Sequence, residues 1–249
     1  KEFLFEKWLK GFIYSINKKN NKLRNHKMAV FANDQLSTHI NLYGIYEKRE
    51  IEMIIDLCKR LKLINKRSVA IDIGANIGNH SIEFSKFFDH VKAFEANPDT
   101  FQILKFNTKN FDNIRIFNFG LGKDDCIMNM IETKNNIGQS KVIKNPNTED
   151  IVFSIKIKKL DDILSTDKNI NLIKIDVEGM EYDVLLGSEQ LIKRNKPIIA
   201  FEQNIDAFDK KGESNSINFL KKNGYEIFWW ETQKSELNWL YRRLINIFE

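Results

Sequence analysis

The chain has little of what marks disulfide-stabilised, zinc-binding or membrane-spanning proteins. Its only cysteines, Cys58 and Cys126, are far apart in the sequence and belong to no CxxC or Cys/His cluster, so neither a disulfide framework nor a zinc site is expected. No apolar run approaches the ~18 to 20 residues that cross a bilayer, and no segment resembles a secretory signal. We therefore expect a cytoplasmic protein, and the start at Lys1 rather than Met is compatible with a segment upstream.

The composition is that of an ordinary globular protein, and the length predicts one domain. Of 249 residues, 42% are hydrophobic and 29% charged, enough for one substantial core. The net charge of +5 belongs to the N-terminus, since residues 1–27 hold eight Lys/Arg and two Glu, whereas residues 28–249 hold 31 basic and 32 acidic residues. Nucleic-acid binding is not expected, because the basic residues lack an interleaved aromatic platform or a known reading motif.

Apolar residues recur at helical spacing within this basic N-terminal arm. Such an amphipathic helix suits contact with a partner or with the inner face of a membrane. The alternative is that its apolar face packs on the domain, as most stripes of this period do. The stripe consists of Phe3, Leu4, Trp8, Leu9, Phe12, Ile13 and Ile16.

Residues 68–98 combine a strand, a glycine turn, a helix and a second strand. The run from Val69 to Ile73 is apolar apart from one carboxylate, which is typical of a parallel strand buried on both faces. Gly74 and Gly78 bracket a turn that opens a helix, and Glu95 ends the next strand 21 positions after Gly74. In nucleotide-binding folds, an acid about 20 residues after the first glycine binds the ribose.

Asn76 narrows the choice of nucleotide. In the dinucleotide-binding motif GxGxxG, the residue at this position is a glycine, which lets the backbone approach the pyrophosphate. A side chain at this position would crowd the pyrophosphate. S-adenosylmethionine has no phosphate and is a net cation, so the carboxylates of Asp72 and Glu95 would favour it. The sequence predicts this cofactor, with an NAD-type oxidoreductase on a Rossmann-like fold as the alternative.

A second acidic strand end lies at residues 171–179. Period two places Lys174 and Asp176 on one face of this strand. A lysine in a central strand is costly unless paired, so we expect an ion pair between Lys174 and a carboxylate that stays charged. Asp176 and Glu178 lie where α/β sheets bind ligands, although they could simply cap the following helix.

Several segments together resemble the FkbM-type family of S-adenosylmethionine-dependent methyltransferases. The resemblance extends over residues 43–230 and implies a class I, Rossmann-like, mostly parallel sheet flanked by helices. It also implies O-methylation, often of a sugar or glycan hydroxyl. A noncatalytic cofactor-binding partner of a glycan-modifying enzyme is a further alternative. The segments are 69–80 (VAIDIGANIGNH), 93–98 (AFEANP), 171–182 (NLIKIDVEGMEY) and 198–203 (IIAFEQ).

Residues and resemblance together give a set of expected site residues. For catalysis we expect Asp176, Glu178 and Lys174, with Asp176 preferred as the base or the group that orients the hydroxyl. A metal ion is not among the expected ligands. The expected acceptor contacts are His39, Glu47, His80 and Glu202, although Glu47 could merely favour the start of a helix. The expected cofactor contacts are Asp72, Gly74, Ala75, Asn76, Gly78, Glu95, Ala96, Gly120 and Leu121.

The remaining patterns complete the predicted organisation into an arm (1–42), a catalytic domain (43–230) and a C-terminal amphipathic helix (231–249). Residues 126–131 and 151–159 alternate as in an antiparallel hairpin, and the polar residues 132–150 read as a long loop. Residues 180–194 read as one helix. Either the seventh strand that the family resemblance implies lies elsewhere, or this C-terminal helix replaces it and packs in a homodimer or beside the arm.

Overall fold

The computed structural model describes residues 2–24, 26–32, 34–133, 136–143, 151–203, 207–209, 213–231 and 242–248. The helices are α1 (Glu2–Arg24), α2 (Gln35–Tyr43), α3 (Lys48–Arg60), α4 (Asn79–Ser85), α5 (Pro98–Thr108), α6 (Leu160–Ile163), α7 (Glu181–Leu186), α8 (Glu189–Asn195) and α9 (Asn215–Lys222). The strands are β1 (Val69–Ile73), β2 (His90–Phe94), β3 (Ile114–Phe117), β4 (Gly120–Leu121), β5 (Cys126–Thr133), β6 (Asn136–Ile143), β7 (Ile151–Lys158), β8 (Ile170–Ile175), β9 (Ile198–Gln203), β10 (Tyr225–Glu231) and β11 (Arg242–Phe248).

The main sheet has the strand order β10-β11-β9-β8-β1-β2-β3. From β9 to β3 its neighbouring strands are parallel, and β11 runs antiparallel to both β9 and β10. Because the parallel strands share one direction, their carboxyl ends meet at one edge of the sheet. The predicted mostly parallel α/β architecture is therefore confirmed.

The two faces of this sheet pack against different helices. Ile71, Ile173 and their odd-numbered neighbours are buried with apolar residues of α6 to α9. Ala70 and Leu172 face the other way and pack with α3 and α4. Asp72 is paired in register with Lys174, so by period two both point toward the α3 and α4 face.

The predicted hairpin is confirmed, but the loop predicted within it is wrong in part. Strands β5 and β7 pair antiparallel, as the alternation of residues 126–131 and 151–159 indicates. Residues 136–143, however, form β6, which pairs with the free side of β5. The physical reason is that β6 satisfies backbone N–H and C=O groups that an edge strand would leave open. Residues 134–135 and 144–150 of the predicted loop lie outside the described residues.

The predicted C-terminal helix is wrong where the structure describes it. Residues 242–248 form β11, which hydrogen-bonds along one side to β9 and along the other to β10. Because β11 inserts between two strands, it supplies partners to both of their backbones, which a helix could not do. The family's seventh strand is thus present, and residues 232–241 lie outside the described part of the chain.

Residues 180–194 form two helices rather than the single one expected. The break follows Gly187, where an added Cβ would lie 1.9 Å from the carbonyl oxygen of Gly122. The side chain of Asp161 then accepts hydrogen bonds from the N–H groups of Gln190 (3.0 Å) and Leu191 (2.7 Å) in the first turn of α8. A close backbone crossing and a cap from another helix therefore define the break.

Candidate functional site

The candidate site lies where β1, β2 and β8 end. Ile73, the last residue of β1, is paired with Phe94 of β2 and with Ile175 of β8. The N–H groups of Gly74 and Ala75 both donate to the carbonyl of Phe94, each at 2.9 Å. The glycine turn is thus fixed between the residues that follow β2 and those that follow β8, and we call this edge the carboxyl rim.

Gly74 is required by the close approach of β8. Its φ is +74°, and an added Cβ would lie only 1.8 Å from the backbone oxygen of Asp176. Gly78 also has a positive φ, of +95°, and faces Leu104 of α5. Glycine is therefore needed at the first position for space as well as for backbone conformation.

Glu95 is held by backbone amides at the end of β2. Its Oε2 accepts a hydrogen bond from Asn76 N, and its Oε1 accepts one from Asn97 N, both at 2.8 Å. The residue is only 8% exposed. Burial raises the pKa of Glu95 to about 7, against the opposing effects of the two amide bonds and of Lys174. This carboxyl group therefore changes charge near neutral pH.

Lys174 joins the two other acids of the rim. Its Nζ lies 3.5 Å from Asp72 Oδ1 and 3.2 Å from Asp176 Oδ2, and it donates to the carbonyl of Gly74 at 3.3 Å. Ser81 completes the arrangement by donating to Asp72 Oδ2 at 2.5 Å. The predicted ion pair of Lys174 is confirmed, and it has two carboxylate partners.

Asp72 and Asp176 differ in their access to a ligand. Asp72 is 0% exposed, whereas 27% of the Asp176 side chain is exposed. Asp72 is placed to influence a bound cation through its charge, and its expected cofactor contact stays a prediction. Asp176 is the member of the Lys174 network that a ligand can touch.

Backbone conformation marks three of the expected site residues. Glu47, Asn76 and Glu178 all have positive φ, between 50° and 53°. Such conformations are costly for residues with side chains and concentrate at functional sites. Glu178 is followed by Gly179, whose N–H donates to Glu181 Oε1 at 3.0 Å, so Glu181 supports this turn although its sequence context did not single it out.

The expected acceptor residues form a second group beside the rim. His80 Nε2 lies 3.4 Å from Glu47 Oε2, with both side chains largely buried. The ring of His39 lies 4.6 Å from that of Tyr43 and 5.3 Å from that of Tyr46. Burial lowers the pKa of His39, against the charge of Glu47. His39, Glu47 and His80 are thus brought together.

Asn79 ties this group to the first turn of α4. Its Oδ1 accepts from Tyr46 N at 3.0 Å, and its Nδ2 donates to Tyr46 O at 2.8 Å. Glu202 stands apart from these contacts, directly after Phe201, which pairs with Ile175. It therefore reaches the same sheet edge as Asp176 from the neighbouring strand.

The remaining expected cofactor residues lie beside Glu95. An added Cβ on Gly120 would be 3.3 Å from the Cβ of Ala96, and Asn118 Nδ2 donates to the carbonyl of Glu95 at 2.9 Å. Leu121 is buried in the core, so only its backbone could face a ligand. The expected cofactor contact of Leu121 stays a prediction, and a backbone contact would satisfy it.

Several supporting residues were missed by the sequence reasoning. Ser81, Asn79 and Asn118 hold other site residues by hydrogen bonds. One available signal was the run of polar residues at the start of α4, all of which are buried. Buried polar groups need partners, so this run pointed to the network.

The residues at the glycine turn fit S-adenosylmethionine. Within the described residues, Asn76 Oδ1 is buried and has no hydrogen-bond partner, so it can accept from a donor such as an ammonium group. The carboxyl groups of Asp72, Asp176 and Glu95 lie around the ammonium group of Lys174 at this turn, and this acidic surrounding favours a cationic ligand. No group of three or more His, Cys, Asp or Glu side chains is placed to hold a metal ion in the part of the chain that the structure describes.

Sequence comparison supplies a family match. The model described as Methyltransferase FkbM domain matches residues 72–227. Methyltransferase 1 of Beauveria bassiana (strain ARSEF 2860) is 28% identical over 190 residues, which cover 64% of this chain and 76% of that protein. The segment that the family model matches begins at Asp72 and includes both Glu95 and Asp176.

Solved structures show the same fold at low sequence identity. The METTL16 MTase domain aligns with a TM-score of 0.57 and 13% identity, over 95% of this chain and 79% of that one. An rRNA methylase from Streptococcus thermophilus aligns with a TM-score of 0.51 and 10% identity, over 82% of this chain and 99% of that one. These likenesses establish the class I methyltransferase fold and nothing about the acceptor. No helix in the described ranges is both long and apolar enough to cross a membrane.

Proposed function

This chain belongs to the FkbM methyltransferase family and is an S-adenosylmethionine-dependent methyltransferase, and we propose that it methylates a hydroxyl oxygen of a sugar or glycan. One observation carries the proposal. The Asp176 carboxylate is partly exposed at the end of β8 and is held 3.2 Å from Lys174, so a fixed proton acceptor stands at the carboxyl rim.

The cofactor half of the site is the glycine turn with Glu95. When bound, S-adenosylmethionine supplies a methyl group on a sulfonium cation. Each Glu95 oxygen accepts one backbone N–H and keeps a lone pair for a ribose hydroxyl. Asn76 Oδ1 offers an acceptor to the amino acid portion. These groups fix the ligand's position, and positioning supplies much of the rate of a transfer that needs in-line approach.

The acceptor half is centred on Asp176. The acceptor hydroxyl loses its proton as its oxygen bonds to the methyl carbon and the bond from that carbon to sulfur breaks, and the Asp176 carboxylate would accept this proton or orient the hydroxyl. The ion pair with Lys174 fixes the position of that carboxylate. A positioned base of this kind contributes ~10²- to 10⁴-fold to the rate. Glu178 stands two residues further on, in a strained conformation at the same turn.

The chemistry around Asp176 favours a neutral polyhydroxyl acceptor. Glu47 and His80 offer hydrogen bonds, Tyr43 is an exposed aromatic ring in contact with His39, and Glu202 lies on β9 next to β8. A nucleic acid would need basic side chains to neutralise its phosphates, whereas residues 28–249 carry 31 basic and 32 acidic residues. An uncharged sugar meets no such repulsion.

Mass spectrometry of an acceptor panel tests this proposal. Free sugars, lipid-linked glycans and small hydroxylated metabolites are incubated with the enzyme and S-adenosylmethionine, and the products are searched for one added methyl group. We expect methylation of a sugar hydroxyl by the wild type and by Asp162→Asn, which changes an exposed acid outside the site. Methylation confined to nonsugar metabolites would refute the sugar assignment, and transfer to nitrogen would refute the hydroxyl.

A further inference from the structure

The N-terminal half of α1 projects from the rest of the protein. Residues 3–15 are all exposed, and five of them are aromatic. Trp8 is 61% exposed and Phe12 is 50% exposed. An added side chain at Gly11 would meet no described atom within 4 Å. Packing of the stripe on the domain, one of the two expectations from the sequence, is therefore not seen for residues 3–15 within the described part of the chain.

The other end of α1 anchors the helix. Asn20 and Arg24 are buried, and Asn20 Nδ2 donates to the carbonyl of Asn41 in α2 at 2.8 Å. Asn20 and Arg24 lie five and nine residues beyond the exposed residues 3–15, which is about 8 and 14 Å further along the helix axis. The helix thus docks by its C-terminal end, and this docking leaves residues 3–15 exposed.

Phe5 is not part of the stripe, but it lies on the same side of the helix, and its ring stacks on Trp8, which in turn stacks on Phe12. The ring centroids of Phe5 and Trp8 are 6.2 Å apart, and those of Trp8 and Phe12 are 5.4 Å apart. Lys7 and Lys10 lie more than about 100° around the helix from Phe12. Both lysines therefore point away from the ring of Phe12, and Lys10 pairs with Glu6 at 2.6 Å.

We propose that α1 lies in the interface of an anionic membrane, with Phe5, Trp8 and Phe12 inserted at the headgroup level. Charge complementarity selects this occupant, because residues 1–27 carry a net charge of +6 and anionic headgroups attract basic amphipathic helices. A second copy of this helix would bring +6 against +6, which opposes a symmetric pair. Trp, Phe and Leu are also the residues found on the apolar face of helices that lie in a membrane interface.

Sedimentation with vesicles tests the proposal on the whole chain. Vesicles of phosphatidylcholine are compared with vesicles that contain phosphatidylglycerol as well. We expect binding to the anionic vesicles only, weakened by salt, with about a fivefold loss for Lys10→Ala. Trp8→Ala and Phe12→Ala should each reduce binding by more than about tenfold, because each removes a large apolar surface from the interface.

Tyr14→Ala is the matched control, since it removes an exposed aromatic ring from the opposite side of the helix. It should bind like the wild type, and all variants should keep the wild-type Tm because residues 3–15 pack on no described part of the domain. Failure to bind either vesicle overturns the proposal, as does equal loss for Tyr14→Ala and Trp8→Ala. A dimer in light scattering that Phe12→Ala dissociates would assign the stripe to a second copy, and capture of an acidic protein with no vesicle binding would assign it to that class of partner.

Discussion

Glu95 and Asp176 lie at the same sheet edge but are held in opposite ways. Glu95 is buried on two backbone amides, and its pKa rises to about 7. Asp176 is partly exposed and lies against the ammonium group of Lys174. Amide donors around a buried carboxyl suit the binding of uncharged hydroxyls, whereas a lysine beside an exposed carboxylate suits chemistry. The contrast divides the site into a cofactor half and an acceptor half.

The largest effect should come from removing the cation of the acceptor half. Lys174→Met leaves the fully buried Asp72 without its ion-pair partner, which should lower the free energy of unfolding by about 3–5 kcal/mol. Lys193→Met is the control, because Lys193 pairs with Glu189 at the surface and should cost about 1 kcal/mol or less. Urea unfolding measures both, and similar losses in the two variants would contradict the proposed importance of the network.

The pH dependence of stability should sharpen the contrast at the cofactor half. Glu95 has a folded pKa of about 7 against an ordinary value of 4.5, so the folded state holds the proton more tightly than the unfolded state. The contribution of Glu95 to the free energy of unfolding is therefore full below about pH 4.5 and is lost as the pH rises to about 7. The change is on the order of 3 kcal/mol. The free energies of unfolding of the wild type and of Glu95→Gln, measured by urea unfolding at several pH values, should diverge across this pH window. If the two free energies change in parallel with pH, the pKa of Glu95 is not raised by folding.

A smaller effect is expected on cofactor affinity. Glu95→Ala removes an acceptor for the ribose hydroxyls, so calorimetry should show S-adenosylmethionine binding weakened by about 10- to 100-fold, as for a hydrogen bond to a charged group. Glu189→Ala changes an acid on α8 whose ion pair lies at the surface and should leave the affinity unchanged. Unchanged affinity in Glu95→Ala would remove Glu95 from the cofactor half.

The site was predictable where local patterns decide the structure. The apolar run of β1 with its glycine turn, the cap by Asn97 before Pro98, and the need of Lys174 for a carboxylate all follow from short-range rules. The structure has each of them, and the side chain of Asn97 accepts from the N–H groups of Asp99 and Thr100. These features depend on residues within about one strand or turn of each other in the fold.

The other features of the fold and of the site depend on contacts between residues that are distant in the sequence. Leu244, Ile245 and Phe248 are spaced as on one face of a helix, so their spacing does not predict a strand. They form β11 because their backbone pairs with β9 on one side and with β10 on the other. The hydrogen bond from Ser81 to Asp72 requires the register of α4 on β1, which sequence spacing does not give. The exposure of Asp176 against the burial of Asp72 likewise follows from where each strand ends.

Asp176→Asn is the most direct test of the division into two halves. We expect turnover to fall by about 10²- to 10⁴-fold, measured as methyl transfer to the acceptor found in the panel. Calorimetry on the same preparation should show S-adenosylmethionine binding within about twofold of wild type, because Asn keeps the size of Asp176 and Glu95 is untouched. Full turnover in this variant would contradict the account, and so would a loss of activity explained entirely by lost cofactor binding.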